Sequence, residues 1–241
     1  MKCVIVAAGQ GTRLREIAPL KPLAPLLGVP LIVRVIETAM AGGVSEFVVV
    51  TGYEGAWLEQ YLDALAVERG IQLTCVRNPD WMGSNGLSVA AAAPHVDGKF
   101  ILLMSDHLFD PDIVTDLAQA HWHAPEVVLA VDSRLDNPLV DLEDVTRVDV
   151  GRGGVIRRIG KHIENYNAFD TGVFLASPLL ISAIRDSVAA GGGGGISEGM
   201  QALADRGLAR TFDIGSRFWL DVDDPAAFVR AEYETGQRMS N

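Results

Sequence analysis

The sequence predicts an α/β fold: a largely parallel sheet with helices on both faces. Short apolar runs rich in β-branched residues alternate with helical stripes through the first hundred residues. Several of these runs end in turns of small or acidic residues, where ligands sit on parallel sheets. A chain of 241 residues, 49% of them apolar, can bury one large core, so a single domain over 1–241 is expected.

Residues 4–7 (Val-Ile-Val-Ala) read as a buried strand, followed at once by the turn Ala8, Gly9, Gln10, Gly11, Thr12. Arg13 and Lys21 then bracket a Pro-containing segment that cannot form one regular helix. Apolar residues at 31, 32, 35, 36, 39 and 40 draw a helical stripe that Gly42 and Gly43 close. A second strand follows over 47–50, then a helix over 54–65 with Trp57, Leu58, Tyr61, Leu62 and Leu65 on one face. A third strand over 71–76 leads through a polar loop to a helix near 87–93 and the most continuous apolar strand, 100–104. Asp106 follows that strand almost directly, so its turn and the Gly9 loop should face one crevice.

The second half is less regular. Strands are expected over 127–131, 146–150, 155–159, 167–176 and 219–222, with helices over 178–188, 196–204 and 225–238. Residues 132–144 read as a polar loop, and the five glycines at 191–195 as a flexible surface loop within one domain.

Net charge is −11 with no basic block, which argues against nucleic acid as a partner. An enzyme for anionic substrates with this balance must concentrate positive charge locally or bring a metal. Cys3 and Cys75 sit in apolar runs and read as buried free thiols of a reducing compartment. No signal peptide is evident, and no apolar run reaches the roughly 18 residues of a membrane span. A cytoplasmic protein without membrane insertion is expected.

The glycines let the backbone approach a ligand and turn its N–H groups toward an anion. Alone, this loop is as compatible with a plain turn as with a phosphate site. It is not a dinucleotide fingerprint, because Leu14 stands where a small residue is needed, and no Walker Gly-Lys-Ser/Thr follows. Two carboxylates at separate strand ends, Asp106 and Asp221, suit a hard cation such as Mg²⁺, which takes one or two carboxylates plus phosphate oxygens. The plainer alternative for both is helix capping. Asp224, directly before Pro225, is better placed than Asp221 or Asp223 to cap the last helix. For His107 a hydrogen-bonded structural role is expected, and His121 and His123, flanking Trp122, read as solvent-exposed.

The ordered string AAGQGTRL, then PLKPL, then GVPLI resembles the sugar-nucleotide pyrophosphorylase family of nucleotidyltransferases. The resemblance implies a Rossmann-like, mostly parallel (mixed) sheet of the glycosyltransferase-A-like nucleotidyltransferase fold. It also implies metal ligands at Asp106 and Asp221, cations gripping the triphosphate and reacting phosphates at Arg13 and Lys21, and a contact of Lys161 with the acceptor's phosphate. Asp170, Thr171 and Gly172 match the strand that meets the acceptor's hydroxyls. Candidate nucleotide contacts are Ala8, Gly9, Gly11, Thr12, Asn85 and Ser88, although Asn85 also reads as a helix cap.

Within the family, NPDW at 78–81, MSDH at 104–107 and NAFDTG at 167–172 look most like the CTP:inositol-1-phosphate cytidylyltransferases. That group implies transfer from CTP to inositol 1-phosphate, giving CDP-inositol and pyrophosphate. It often carries a fused membrane-embedded phosphatidyltransferase-like domain, which is not expected here because no apolar tail precedes Asn241. Other acceptors stay open: a hexose 1-phosphate, or phosphocholine if Trp81, Tyr166, Phe169 and Trp219 formed a cage for its ammonium. A catalytically silent regulatory subunit is the contrasting reading, but it would be expected to lose the cations or carboxylates that this sequence keeps. Assembly into a homo-oligomer also stays open.

Overall fold

The computed structural model describes residues 1–120 and 127–239, so His121, Trp122 and His123 lie outside the described residues. In chain order, β1 (Lys2–Ala7) leads through a small hairpin, β2 (Pro25–Leu26) and β3 (Val29–Pro30), to α1 (Leu31–Ala41). Then come β4 (Glu46–Thr51), α2 (Gly55–Arg69), β5 (Gln72–Arg77), α3 (Asn85–Ala91) and β6 (Phe100–Met104). A short strand β7 (His107–Phe109) precedes α4 (Pro111–Gln119). The second half holds β8 (Val127–Asp132), β9 (Arg147–Val150), β10 (Ile156–Gly160), β11 (Ala168–Ala176), α5 (Pro178–Ala189) and α6 (Ile196–Ala204). It closes with β12 (Ala209–Asp213), β13 (Trp219–Asp221) and α7 (Pro225–Met239).

The main sheet runs β10-β9-β11-β6-β1-β4-β5, with β8 pairing both β11 and β12. β1 is parallel to β4 and β6, and β4 to β5. β11 is antiparallel to β6, β8 and β9, so the sheet is mixed. Strand alternation gives it two apolar faces. Cys3, Ile5 and Ala7 of β1 meet α1, α2 and α4, whereas Val4 meets α3, α5 and α6 on the opposite face. Cys3 is buried and Cys75 half-buried, both as free thiols.

Local chemistry sets several element ends. Gly42 caps α1. The Ser177 hydroxyl accepts the Leu179 N–H and Pro178 opens α5. Asp224 caps α7 as expected, its Oδ1 accepting the Ala227 N–H at 2.7 Å.

Three features depart from the sequence reading. Trp57 is 46% exposed, because α2 buries Leu58, Leu62 and Leu65 and a neighbouring position points about 100° away. β12 is unforeseen: it is an edge strand whose only fully buried residue is Ala209, so it carries no apolar run. The glycine run is exposed over residues 191–193, as a surface loop would be, but its second half is tied down. Glu198 accepts the Gly194 N–H (2.9 Å) and the Ser187 hydroxyl (2.7 Å), and the run packs on the start of α3. A Cβ on Gly86 would fall 2.2 Å from the Gly194 carbonyl oxygen. No helix among the described residues is long and apolar enough to cross a membrane.

Gly86→Ala should therefore force backbone apart and lower stability by about 1–3 kcal/mol, the usual range for overpacking. Urea unfolding measures it, and a midpoint equal to that of the unaltered chain would mean that the two backbones are not held together.

Candidate active site

A cavity of about 440 Å³ opens beyond the carboxyl ends of β1 and β6. Its floor is Val6 and Met104, and its walls hold the residues with ionisable chemistry. Leu14 anchors the Gly9 loop: it is fully buried in a small third core with Leu108, Leu220, Val222 and Phe228. The residue that breaks the dinucleotide fingerprint thus pins Arg13 to the β13 region. Gly11 has φ +59°, and a Cβ there would lie 2.3 Å from the Lys21 Cβ, so only glycine lets the loop close over Lys21.

Asp106 and Asp221 are brought together by a ribbon absent from the sequence reading. Beyond the turn at Ser105 and Asp106 the chain continues as β7, which pairs antiparallel with β13 so that Asp221 faces His107, Leu220 faces Leu108 and Trp219 faces Phe109. The Asp106 Oδ1 engages His107 Nδ1 at 2.9 Å, and Asp221 Oδ1 stands 3.7 Å from the same nitrogen. The hydrogen-bonded role expected of His107 is present, and it sits inside the site.

Lys21 is only 7% exposed and forms ion pairs with both Asp106 and Asp223. Arg13 pairs with Asp223 and donates to Asp144 Oδ2 at 2.8 Å, while Lys161, on the turn after β10, reaches the other oxygen of Asp144. The result is one alternating string: Lys161, Asp144, Arg13, Asp223, Lys21, Asp106, His107, Asp221. Asp144 and Asp223 were not singled out as site residues. Asp223 had the signal, since it lies two residues from Asp221, but its helix-cap reading hid it. Asp144 lay in a loop with several other acidic residues and carried no local mark.

The string shifts its members' proton affinities. Burial alone would lower Lys21, but Asp106, Asp223 and Asp221 outweigh it and its pKa is raised. Burial would likewise raise Asp106, yet Lys21 and His107 hold it far below the usual carboxylate range. Burial opposes the His107 charge, but Asp221 and Asp106 push it up to about 9. Asp221 moves the other way, pushed up to about 7 by burial, with Asp106 and Asp223 adding and His107 opposing.

Asp221 Oδ1 is buried without a hydrogen-bond partner. A buried carboxylate oxygen without a hydrogen bond is costly, and the His107 ring at 3.7 Å is beyond hydrogen-bond reach of it. Donor atoms of Asp106, His107 and Asp221 lie within 4.8 Å of one another, and the two carboxylates offer the oxygen donors a hard cation takes. The residues fit a divalent ion, with His107 orienting Asp106.

The other candidates divide. Gly9, Gly11, Thr12, Asn85, Asp170 and Gly172 line the cavity. Ala8 does not; it is buried and its carbonyl accepts the Tyr53 N–H. Ser88 is buried below the cavity, accepting from Asn78 Nδ2 at 3.0 Å. Thr171 points away because it alternates with Asp170 along β11, and its hydroxyl donates to the Ala130 carbonyl. Asn85 opens α3 without a side-chain cap, its Oδ1 accepting the Ile196 N–H at 3.0 Å. The four aromatic residues weighed as a choline cage do not converge. Trp81 packs on Tyr53, Tyr166 on Phe169, Trp219 donates to Asp132, and none lines this cavity.

Residues 3–152 match the MobA-like NTP transferase domain. The Rubrobacter xylanophilus protein named bifunctional IPC transferase and DIPP synthase is 35% identical over 226 residues, 92% of this chain and 49% of that protein. A like-named Aquifex aeolicus protein is 28% identical over 95% of this chain and 50% of its own length. The chain spans about half the length of these curated relatives. The solved inositol-1-phosphate CTP transferase from T. maritima superposes with a TM-score of 0.82 at 28% identity, covering 97% of this chain and 95% of that one. A UDP-glucose pyrophosphorylase complexed with UDP-glucose shares the fold, with a TM-score of 0.79 at 18% identity and 98% of both chains covered.

Asp170 supplies a pH test of this wall. Burial pushes its carboxyl up to about 6, against the Gly172 N–H (2.8 Å) and the positive charge of His107. Unfolded, an aspartate titrates near about 3.9. The folded chain therefore holds a proton that the unfolded chain has lost, and the associated stability is present below about pH 4 and lost as pH rises through about 6. Asp170→Asn should gain urea resistance relative to the unaltered chain between pH 4 and pH 8. A difference between the two chains that stays constant with pH would count against it.

Proposed function

The chain belongs to the family of MobA-like NTP transferase domains, and from that premise we propose that it transfers a cytidylyl group from CTP to inositol 1-phosphate. The products are CDP-inositol and pyrophosphate, and the ion is Mg²⁺. The observation that carries the reading is the convergence of Arg13, Lys21, Asp106, Lys161 and Asp221 on one cavity. The printed names of the T. maritima structure and of the bifunctional relatives support this choice of base and acceptor.

The chemistry follows from charge. A phosphate monoester has its second pKa near about 6, so at neutral pH the acceptor is already a dianionic nucleophile and needs no side-chain base. The protein must align that phosphate with the α-phosphorus of the NTP and balance charge on the moving oxygens. Asp106 and Asp221 would hold the Mg²⁺, which would supply charge neutralisation at the phosphates. Arg13 and Lys21 take the departing pyrophosphate. Lys161 holds the incoming phosphate against repulsion from the triphosphate. Asp170, ionised above about pH 6, accepts from an acceptor hydroxyl, and the Gly9 loop and Asn85 face the nucleotide.

Pyrophosphate release over four NTPs crossed with inositol 1-phosphate, phosphocholine and several sugar 1-phosphates tests the assignment. Turnover with CTP and inositol 1-phosphate is expected to exceed every other pair; product only from a hexose 1-phosphate would replace the acceptor and keep the chemistry. Asp106→Ala should lose on the order of 10²–10³ in turnover while the chain stays folded. Near-normal turnover of the folded variant would remove Asp106 from the metal site.

A further inference from the structure

We infer that Asp144 is a positioning residue that stands in for substrate phosphate, holding Arg13 and Lys161 at one carboxylate until phosphates displace it. The inference rests on the proposed function only in that phosphates enter this cavity. Each carboxylate oxygen takes one cation: Oδ2 accepts from Arg13 Nη2 at 2.8 Å, and Oδ1 pairs with Lys161 Nζ. These cations come from separate segments, one from the loop after β1 and the other from the turn after β10. Both side chains are about half exposed, at 51% and 50%, so their placement rests on ion pairs rather than on packing: Lys161 with Asp144, and Arg13 with Asp144 and Asp223.

Asp144 itself is well placed to fix them. Asp141 accepts the Glu143 N–H through its side chain (2.9 Å) and the Val145 N–H through its carbonyl (2.9 Å), folding residues 141–145 into a turn. The Thr146 carbonyl accepts the Asp170 N–H, tying that turn to β11. Lys161 and Arg13 together hold the Asp144 carboxyl far below the usual carboxylate range, so it is ionised whenever substrate arrives.

A fixed carboxylate between two phosphate-binding cations has two opposed effects. It competes with phosphate oxygens for the same N–H groups, which weakens ground-state anion binding. It also keeps both cations aimed at the cavity, so less ordering remains to be done on the way to the transition state. A ligand that brings phosphates to both cations at once displaces it more readily than one that engages a single cation. A residue that merely supported the loop would weaken binding and turnover together when removed. Asp144 should separate them.

The test titrates inorganic pyrophosphate into the unaltered chain, Asp144→Asn and Asp144→Glu by calorimetry at low salt, with turnover measured in parallel. Asp144→Asn should bind pyrophosphate about three- to tenfold more tightly, in line with one weak ion pair per cation released. Its KM for the NTP should fall and its kcat should also fall, while Asp144→Glu keeps pyrophosphate affinity near that of the unaltered chain. Pyrophosphate binding by Asp144→Asn that is unchanged or weaker overturns the inference. If Asp144→Asn lacks a cooperative thermal transition, Asp144→Ser carries the same expectation and the same refutation. Should the unaltered chain fail to use CTP with inositol 1-phosphate and Asp144→Asn still bind pyrophosphate more tightly, the proposed function falls and this inference stands.

Discussion

The ammonium of Lys21 is the group on which the arrangement turns. A lysine amine taken out of water costs several kcal/mol unless carboxylates meet it. Here two do, Asp106 from the end of the central strand and Asp223 from the segment before α7. Satisfying that one charge obliges three distant stretches of chain to meet: the Pro22 segment, the β6 end and the β13 end. Gly11 is part of the same constraint, since its missing Cβ is what lets the first loop lie against the lysine stem. Leu14 and Leu220, packed in one small apolar core, hold the two sides together from beneath. The polar contacts thus choose the register, and burial of apolar surface supplies the stability that polar contacts at partly exposed sites do not.

A net charge of −11 is ill suited to the polyanionic substrate proposed, and the string of ion pairs bears on how the difficulty would be met. Arg13, Lys21 and Lys161 are not free charges waiting for phosphate; each already has a carboxylate partner. The cavity is therefore close to neutral locally rather than strongly attractive. On the proposed function, affinity would come from exchanging internal carboxylates for phosphates, and from a cation that would meet the Asp221 oxygen left without a hydrogen bond. This favours ligands that engage several positive groups together, as a triphosphate beside a phosphomonoester does, over lone small anions.

Much of this was legible in the sequence because its signals are local. Residues 31–40 show a helical stripe, 100–104 an unbroken apolar run, and the Arg13 and Lys21 positions stand in a long ordered motif. What stayed hidden depends on pairing across long separations. The β7–β13 ribbon joins two three-residue strands separated by over a hundred residues: 219–222 reads as a strand, but β7 is too short to leave a periodic mark and nothing local names its partner. Ser88 and Thr171 look like polar residues at a site, yet each satisfies a buried partner, Asn78 and the Ala130 carbonyl, that only the fold reveals. Asp144 is the same problem in reverse: one aspartate among several in an acidic loop, distinguished only by the two cations that reach it.

The site also divides by burial, and the division follows the proposed chemistry. Lys21 and Asp106 keep 8% and 19% of their side chains exposed; Asp106 follows β6, and Lys21, on a short helical turn between β1 and β2, is paired to it. Lys161 keeps 50% and Asp144 29%, both on turns at the outer edge. Nucleotidyl transfer asks the same geometry at the α-phosphorus whatever the acceptor, so the groups serving it belong on fixed elements. Recognition of the acceptor differs from one substrate to the next, and turns can change length and side chains without disturbing the core. On that reasoning, exchanging the 141–146 and 161–166 turns should alter which phosphorylated acceptor is used while leaving the buried lysine and its carboxylates in place, because among the described residues only Val145 and Tyr166 of those turns pack against the main apolar core.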